Sequence, residues 1–405
     1  MLSRRSFLRA SALTIGAVGA APSWLLRAAA QAQSERRILV AIFQRGAADG
    51  LNLVVPFFEP RYYSLRPGIA IAQPGKPNGG IDLDGRFAFH PGLQSLKPLW
   101  DSGQLAVVHA AGSHDPSRSH FDAQDYMESG TPGAKTEDGW LNRTLPPPST
   151  HDSPVRAIAA SGAQLPRTLR GDSGAIAVDN LPRFQVADRS TAALLESLYS
   201  STADAQLKAQ GRATFDAVRL IESVRARPYT PARGAQYVGE FGQRLQQIAR
   251  LIKADVGVEV AFADIGGWDH HGNENGQLNA LARQFGSSLA AFVHDLGDRM
   301  EDVVLVTMSE FGRTVKENGN AGTDHGHGNV MMVLGAGVRG GRIYGDWPGL
   351  EQEQLFEGRD LAVTTDFRDV LGELVSGHLE QKIDRVFPGY RPQQTLGLLS
   401  GPLRA

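Results

Sequence analysis

The sequence predicts an α/β fold in which a mostly parallel sheet is flanked by helices. Three observations carry this. Short apolar runs without alternation recur along the chain, as expected of strands buried on both faces of a parallel sheet. Segments with helical spacing of apolar residues separate several of them. Polar loops rich in acids and histidines follow the runs, where open α/β sheets collect their ligands.

The first run spans residues 37–43 (Arg-Ile-Leu-Val-Ala-Ile-Phe) and the second 105–109 (Leu-Ala-Val-Val-His). Between them Leu93, Leu96 and Leu99 recur in a helical segment, with Gly103 placed to end it. Shorter runs lie at 156–160 and 175–178. The stretch from about 140 to 240 is more polar and reads as a partly helical insertion over the sheet. Residues 236–254 read as a helix with Leu245, Ile248 and Leu251 on one face. A strand at 258–263 follows, then a helix carrying Leu289, Phe292, Val293, Leu296 and Met300. Strands at 303–308 and 330–334 come next, and a late helix holds Phe367, Val370, Leu371 and Leu374, capped by Thr364 or Thr365. Strand–helix–strand units at this spacing call for right-handed parallel crossovers.

Composition narrows the function classes. Among 405 residues, 41 Lys+Arg against 43 Asp+Glu give a formal charge of −2, which excludes a sequence-wide basic surface for nucleic acid. Hydrophobic residues at 41% provide ample material for a core and exclude disorder of the bulk. Cys is 0, so disulfides, thiolate metal ligands and Cys nucleophiles are all excluded. The 46 glycines follow no Gly-X-Y period and read as many tight turns.

The N-terminus reads as an export signal covering residues 1–32. Arg4-Arg5 precede Phe7-Leu8, an apolar stretch from 11 to 26 follows, and small residues run from Ala28 to Ala32. The arginine pair resembles a bacterial twin-arginine signal. The apolar stretch is shorter than the roughly 20 residues that span a bilayer, and no stable membrane anchor is expected. Cleavage after Ala32 leaves a domain of residues 33–405, periplasmic or secreted, with the twin-arginine translocase as its partner during export.

The chemistry concentrates at strand ends. After the first run comes a loop holding Asp49-Gly50, and after the second a loop from Gly112 to Asp122 with His114, Ser117, Arg118, Ser119 and His120. The strand at 258–263 is followed by Gly266-Gly267-Trp268-Asp269-His270-His271. The strand at 303–308 is followed by Ser309-Glu310-Phe311-Gly312-Arg313-Thr314, and Asp324-His325-Gly326-His327 precedes the run at 330–334. Six of the 11 histidines fall in three of these loops. Each loop has a structural alternative: Asp49-Gly50 suits a turn, Ser119 an N-cap, and Glu310 a helix start. Together, carboxylates and imidazoles without Cys suit a divalent metal, Zn foremost, with Mn, Fe or Ca also open. One or two such ions, with a metal-activated Ser hydroxyl as nucleophile, suit the hydrolysis of an ester.

The order of these loops resembles that of the alkaline phosphatase superfamily, which includes sulfatases and phosphodiesterases. More closely, the chain is similar to an uncharacterised, twin-arginine-exported bacterial family within it. The segments that carry the likeness lie at 117–121, 266–271, 309–314 and 324–328. The resemblance implies an alkaline-phosphatase-like fold and a metal set drawn from Asp49, Asp269, His271, Glu310, Asp324, His325 and His327. It implies a nucleophile within 117–119, preferably Ser119, with Ser117 and His120 as alternatives. Arg118 or Arg313 would hold the anionic group by paired hydrogen bonds. Where the superfamily reads Asp-His this chain has Glu310-Phe311, so one imidazole is missing, with His270 or His325 as substitutes. His114 occupies the place of the residue that sulfatases modify, which disfavours ordinary sulfatase chemistry.

The expectation is therefore an exported, metal-dependent hydrolase of phosphate or sulfate esters. Its substrate would be an anionic ester, either a small molecule or an envelope polymer. The rival expectation is a catalytically silent, metal-bearing binding or scaffold protein of the cell envelope.

Overall fold

A computed structural model describes residues 37–149, 152–181, 184, 189–335 and 337–400. The twin-arginine segment and its cleavage site lie outside the described residues. The strands, in chain order, are β1 (Ile38–Gln44), β2 (Val54–Val55), β3 (Ile81–Asp82), β4 (Ala88–Phe89), β5 (Leu105–Gly112), β6 (Ala157–Ala160), β7 (Ile176–Ala177), β8 (Val260–Ile265), β9 (Val303–Ser309), β10 (Asn329–Gly335), β11 (Ile343–Tyr344) and β12 (Thr365–Asp366). Nine of them form the main sheet in the order β11-β5-β10-β9-β1-β8-β6-β7, with β12 also on β5. A small sheet, β2-β4-β3, stands beside it.

β1 lies between β8 and β9, parallel to both. Its continuous apolar run follows from burial on two faces. Ile38, Val40 and Ile42 pack with Leu245 and Ile248 of helix Gly239–Ala254 and with Phe285 and Leu289 of helix Glu274–Leu296. Leu39, Ala41 and Phe43 point the other way, into a cluster with Val370, Leu371 and Leu374 of helix Phe367–Gly377. The period of two along the strand thus feeds two separate cores. The fold is a mixed, mostly parallel sheet with helices on both faces, as the sequence predicts.

Three details differ from expectation. β10 runs antiparallel to β5 and β9. The segment between β9 and β10 contains no crossover helix, so the chain turns back beside β9 instead of crossing over. Asp366, not Thr364 or Thr365, caps the late helix, because its carboxylate accepts the Arg368 N–H at 2.9 Å. Within the 140–240 stretch, β6 pairs with β8 and β7 with β6. That part extends the sheet edge. Helices Arg189–Ser201 and Ala205–Ala226 follow it, and the second buries Ala217, Ile221 and Val224 in the cluster on one face of the sheet. No described helix is long and apolar enough to cross a membrane.

These directions bring the carboxyl ends of β1, β5, β8 and β9 and the start of β10 to one edge of the sheet. β5 and β8 stand four strand spacings apart, roughly 19 Å, so their loops must lean inward to meet.

Two buried histidines under this edge make the fold acid-sensitive. His109 Nδ1 accepts the Ala110 N–H at 2.9 Å while Nε2 faces the Val54 carbonyl at 3.0 Å. His90 Nδ1 accepts the Gly92 N–H at 2.9 Å. Both rings are neutral, and burial pushes each pKa down to about 4. The unfolded chain binds the proton first, below about 6.5. Stability from these rings is complete above that pH and is lost as pH falls toward 4, by about 2 kcal/mol each at pH 5. Thermal melts of the chelated protein should therefore show Tm falling from pH 7 to pH 5. His109→Gln should shrink that fall, and an unchanged pH slope in the variant would contradict the assignment.

Candidate metal centre

Four side chains from three loops converge at the sheet edge. His120 is the first residue of helix His120–Ser129, which follows β5. Asp269 and His271 follow β8, and His325 lies between β9 and β10. His120 Nε2 and His325 Nε2 are 3.0 Å apart, and His271 Nε2 and His325 Nε2 are 3.1 Å apart. Asp269 Oδ1 lies 3.0 Å from His271 Nε2 and 3.3 Å from His325 Nε2, and Oδ2 lies 3.6 Å from His120 Nε2. His120, Asp269 and His325 offer ligand atoms all within 4.8 Å of one another, and they are the group of this kind among the described residues. His271 joins them through its contacts with Asp269 and His325.

The outer nitrogen of each ring fixes its tautomer. His120 Nδ1 faces Glu310 Oε1 at 2.9 Å, His271 Nδ1 faces Asp324 Oδ1 at 3.1 Å, and His325 Nδ1 faces the Arg118 carbonyl at 2.9 Å. Each partner is an acceptor, so we assign the ring proton to Nδ1 in all three. The Nε2 lone pairs of His120 and His325 and the Asp269 carboxylate then crowd one volume, with His271 Nε2 at its edge. With no proton between them these groups repel, and a cation relieves the repulsion.

The electrostatics agree. Burial raises the Asp269 carboxyl, but the hydrogen bond and charge of Arg313 outweigh it and hold the group below its ordinary range. Burial likewise opposes ionisation of Glu310, yet hydrogen bonds from His120, the Gly46 N–H and Gln124 keep it an anion. The Glu310 contact in turn raises the basicity of His120. A carboxylate behind a histidine is the common outer partner of a metal-bound imidazole.

The donor set fits zinc. A tetrahedral ion with bonds of about 2.0–2.1 Å holds its ligands roughly 3.3 Å apart. Five of the six separations run from 3.0 to 3.6 Å, but His271 falls outside the group whose ligand atoms all lie within 4.8 Å of one another, so His120, Asp269 and His325 form the tight set with His271 beside it. Three imidazoles disfavour Ca, which prefers a shell of oxygens. Asp269 and His271 side chains are nearly half exposed, so the centre opens to solvent.

Backbone constraints position these groups. Gly46 holds φ +114°, and a Cβ there would sit 2.7 Å from the Asp269 nitrogen. Only glycine lets the β1 loop pass this close to the β8 loop. Gly326 is equally confined, since its Cβ would meet the Arg313 carbonyl carbon at 2.3 Å.

The expected ligands divide into two groups. Asp269, His271 and His325 face the shared volume. Glu310 and Asp324 stand behind His120 and His271, one step removed. Asp49 is elsewhere: Arg66 pairs with it at 2.5 Å in full burial, and it caps helix Gly50–Leu53 through the Leu51 N–H. Burial opposes its ionisation, but the Arg66 charge prevails and holds Asp49 ionised without a metal. His327 is buried and stacked on Phe356 at 4.0 Å, its pKa pushed down to about 4 by burial. His270 is buried as well, its Nδ1 without a partner among the described residues.

The residues expected to act on substrate also divide. His120 stands in the cluster that could hold a metal rather than on a substrate side, and the Phe311 ring packs 5.1 Å from His120 and His325. Ser119 caps the helix, accepting the Asp122 N–H at 3.5 Å. Arg118 is committed to Asp360 at 2.6 Å and Glu357 at 2.7 Å. Arg313 is buried and bonded to carbonyls and Asp269. Neither arginine has its guanidinium fork facing the cluster for an anion to occupy. Arg66 and Gln124 carry no motif in the sequence and were not anticipated.

Removing the carboxylate behind His120 should weaken the centre without dismantling it. Glu310→Gln should lower metal affinity by roughly 10–100-fold, the usual cost of an outer partner. Asp269→Ala with His325→Ala should abolish binding. Elemental analysis of protein purified without chelator and zinc titration of the reloaded protein measure both. Full affinity in the double variant would contradict the ligand set.

Comparison with known proteins places the chain in a family. It is similar to the C-terminal periplasmic domain of EcEptC from Escherichia coli solved with Zn, at 10% identity and a TM-score of 0.35, covering 75% of this chain and 73% of that one. A second structure of that domain gives 11% identity, a TM-score of 0.34 and the same coverage. A protein in the alkaline phosphatase superfamily from Vibrio parahaemolyticus gives 11% identity and a TM-score of 0.31, covering 77% of this chain and 63% of that one. The likeness is loose in all three. No curated relative matches the chain. The family model for a protein of unknown function, DUF1501, matches residues 36–380, and the chain belongs to that family.

Proposed function

We propose that the protein is an exported, metal-dependent hydrolase of phosphate or sulfate esters. The convergence of three imidazole Nε2 atoms and the Asp269 carboxylate on one solvent-open volume carries this reading. One ion, zinc foremost, is held by His120, Asp269, His271 and His325. When bound, it polarises the ester and neutralises charge developing on its oxygens.

The chain's own groups do the rest. Ser119 is the nucleophile. It adjoins the ligand His120, and its hydroxyl donates to the Asp122 carboxylate, which can take the proton. Its oxygen bonds to the phosphorus or sulfur as its proton passes to Asp122, the ester oxygen leaves as an alcohol by taking up that proton, and water then hydrolyses the seryl ester, releasing the anion and restoring the hydroxyl. The N-terminus of the ten-residue helix His120–Ser129 offers a partial positive charge to the transferred anion. Glu310 and Asp324 orient the ligand rings, while Arg313 orients Asp269. Export rests on the Arg4-Arg5 segment and the small residues before Gln33.

A second reading is a metal-bearing envelope protein without turnover. One observation favours it: four protein donors saturate a tetrahedral ion, as in structural zinc sites.

The test is a panel of phosphate and sulfate mono- and diesters, run on zinc-loaded protein. Turnover should appear with at least one class. Ser119→Ala should keep its zinc and lose on the order of 10³-fold or more in kcat. An S119A variant with undiminished kcat would exclude Ser119 as the nucleophile. Stoichiometric zinc without turnover anywhere in the panel would establish the second reading.

A further inference from the structure

A cleft of about 470 Å³ opens beside the metal centre, at the carboxyl ends of β1, β6 and β8. The two share helix His120–Ser129, which carries His120 at its start and presents Asp125 and Glu128 to the cleft. The helical rise puts those residues roughly 7–12 Å beyond the ligand. A hydrogen-bond chain links the two places: Arg45 in the cleft donates to Gln124 at 2.9 Å, and Gln124 donates to Glu310 at 2.9 Å.

The cleft is lined by three acids and three arginines, and their pairing is lopsided. Glu128 is spent on Arg45 at one oxygen and on the Thr168 N–H and hydroxyl at the other. Asp264 is spent on Arg45 and Arg244. Asp125 pairs with Arg167 at 2.9 Å. Arg170 is different. It is exposed, it bonds only the Leu165 carbonyl through Nε, and it has no carboxylate partner among the described residues. Ser161 adds a second observation: it is 4% exposed, lines the cleft, and its hydroxyl has no partner among the described residues. What remains unspent is therefore the Arg170 guanidinium and the Ser161 hydroxyl, with Asp125, whose side chain is 30% exposed, the acid most open to the cleft.

We infer that this cleft is an oxyanion subsite, taking a second phosphate, sulfate or carboxylate group of a substrate that carries more than one. Arg170 supplies the charge and Ser161 a hydrogen bond. The substrate role rests on the hydrolase reading, whereas the anion site does not. An ester with two anionic groups spaced along this helix would place one at the metal and the other in the cleft. That favours an oligomeric polyanion over an isolated monoester.

The test separates the two claims. In a full-chain background with Asp269→Ala and His325→Ala, which removes the metal centre, calorimetric titrations with inorganic phosphate, sulfate and acetate should show one saturable site. The tightest of the three names the group. Arg170→Glu should weaken that binding by roughly tenfold or more, the scale of a lost charge-assisted bond, and Arg170→Lys should restore most of it. Ser161→Ala should weaken it by a smaller factor. Absence of a saturable site for all three anions, or unchanged affinity in R170E, would overturn the inference. Anion binding in this background, together with zinc-loaded unmutated protein that turns over no ester in the panel, would sink the hydrolase reading and leave the anion site standing.

Discussion

The centre depends on one buried guanidinium. Arg313 is fully buried and donates to the carbonyls of Gly46, Ala47, Trp268 and Thr323 and to the Asp269 carboxylate. Those partners belong to the loops after β1 and β8 and to the segment before β10. These loops lie beyond the sheet's ladders, joined by a single bridge between Arg313 and His325 and a few backbone bonds, so several of their carbonyls need a side-chain donor. One planar fork supplies it and fixes the Asp269 carboxylate at the same time. A Lys could not replace it, because three rotatable donors cannot reproduce the fork's geometry. Leaving the Gly46, Ala47 and Thr323 carbonyls without this donor would cost roughly 1–3 kcal/mol apiece, whereas the Trp268 carbonyl keeps the His270 N–H. A residue whose role reads as anion binding in the sequence is instead the tie that holds the ligand loops in register.

The second layer of the centre works by direction rather than by charge. Asp269 and Glu310 are both acids just beyond a buried strand, and both are ionised. One faces the Nε2 atoms and the other faces an Nδ1. Glu310 is held in place by the Gly46 N–H and Gln124, which is why it cannot swing into the ligand volume. Orientation by these outer partners also leaves the cluster open on its solvent side, where a substrate could approach.

Much of this was legible in the sequence. Unbroken apolar runs gave the strands because β1, β8 and β9 are buried on both faces, and strand-end histidines pointed to the edge where the ligands meet. What stayed hidden has a physical cause. The direction of β10 depends on the missing crossover helix, which local propensity does not reveal. Asp49 looks like a ligand until Arg66, far from any motif, arrives to neutralise it. His120 looks like a nucleophile until its Nδ1–H is seen to donate to Glu310, which turns Nε2 toward the cluster. His327 shares a loop with His325 but is turned into the core against Phe356. Each of these distinctions is one of side-chain direction, set by partners distant in the chain.

The most direct measurement is zinc K-edge X-ray absorption on the protein loaded with one equivalent of zinc. The account predicts a single four-coordinate site, with nitrogen and oxygen donors at about 2.0–2.1 Å and the multiple-scattering signature of three imidazoles. A zinc shell with fewer than two imidazoles, or a protein that takes up no zinc, would contradict it.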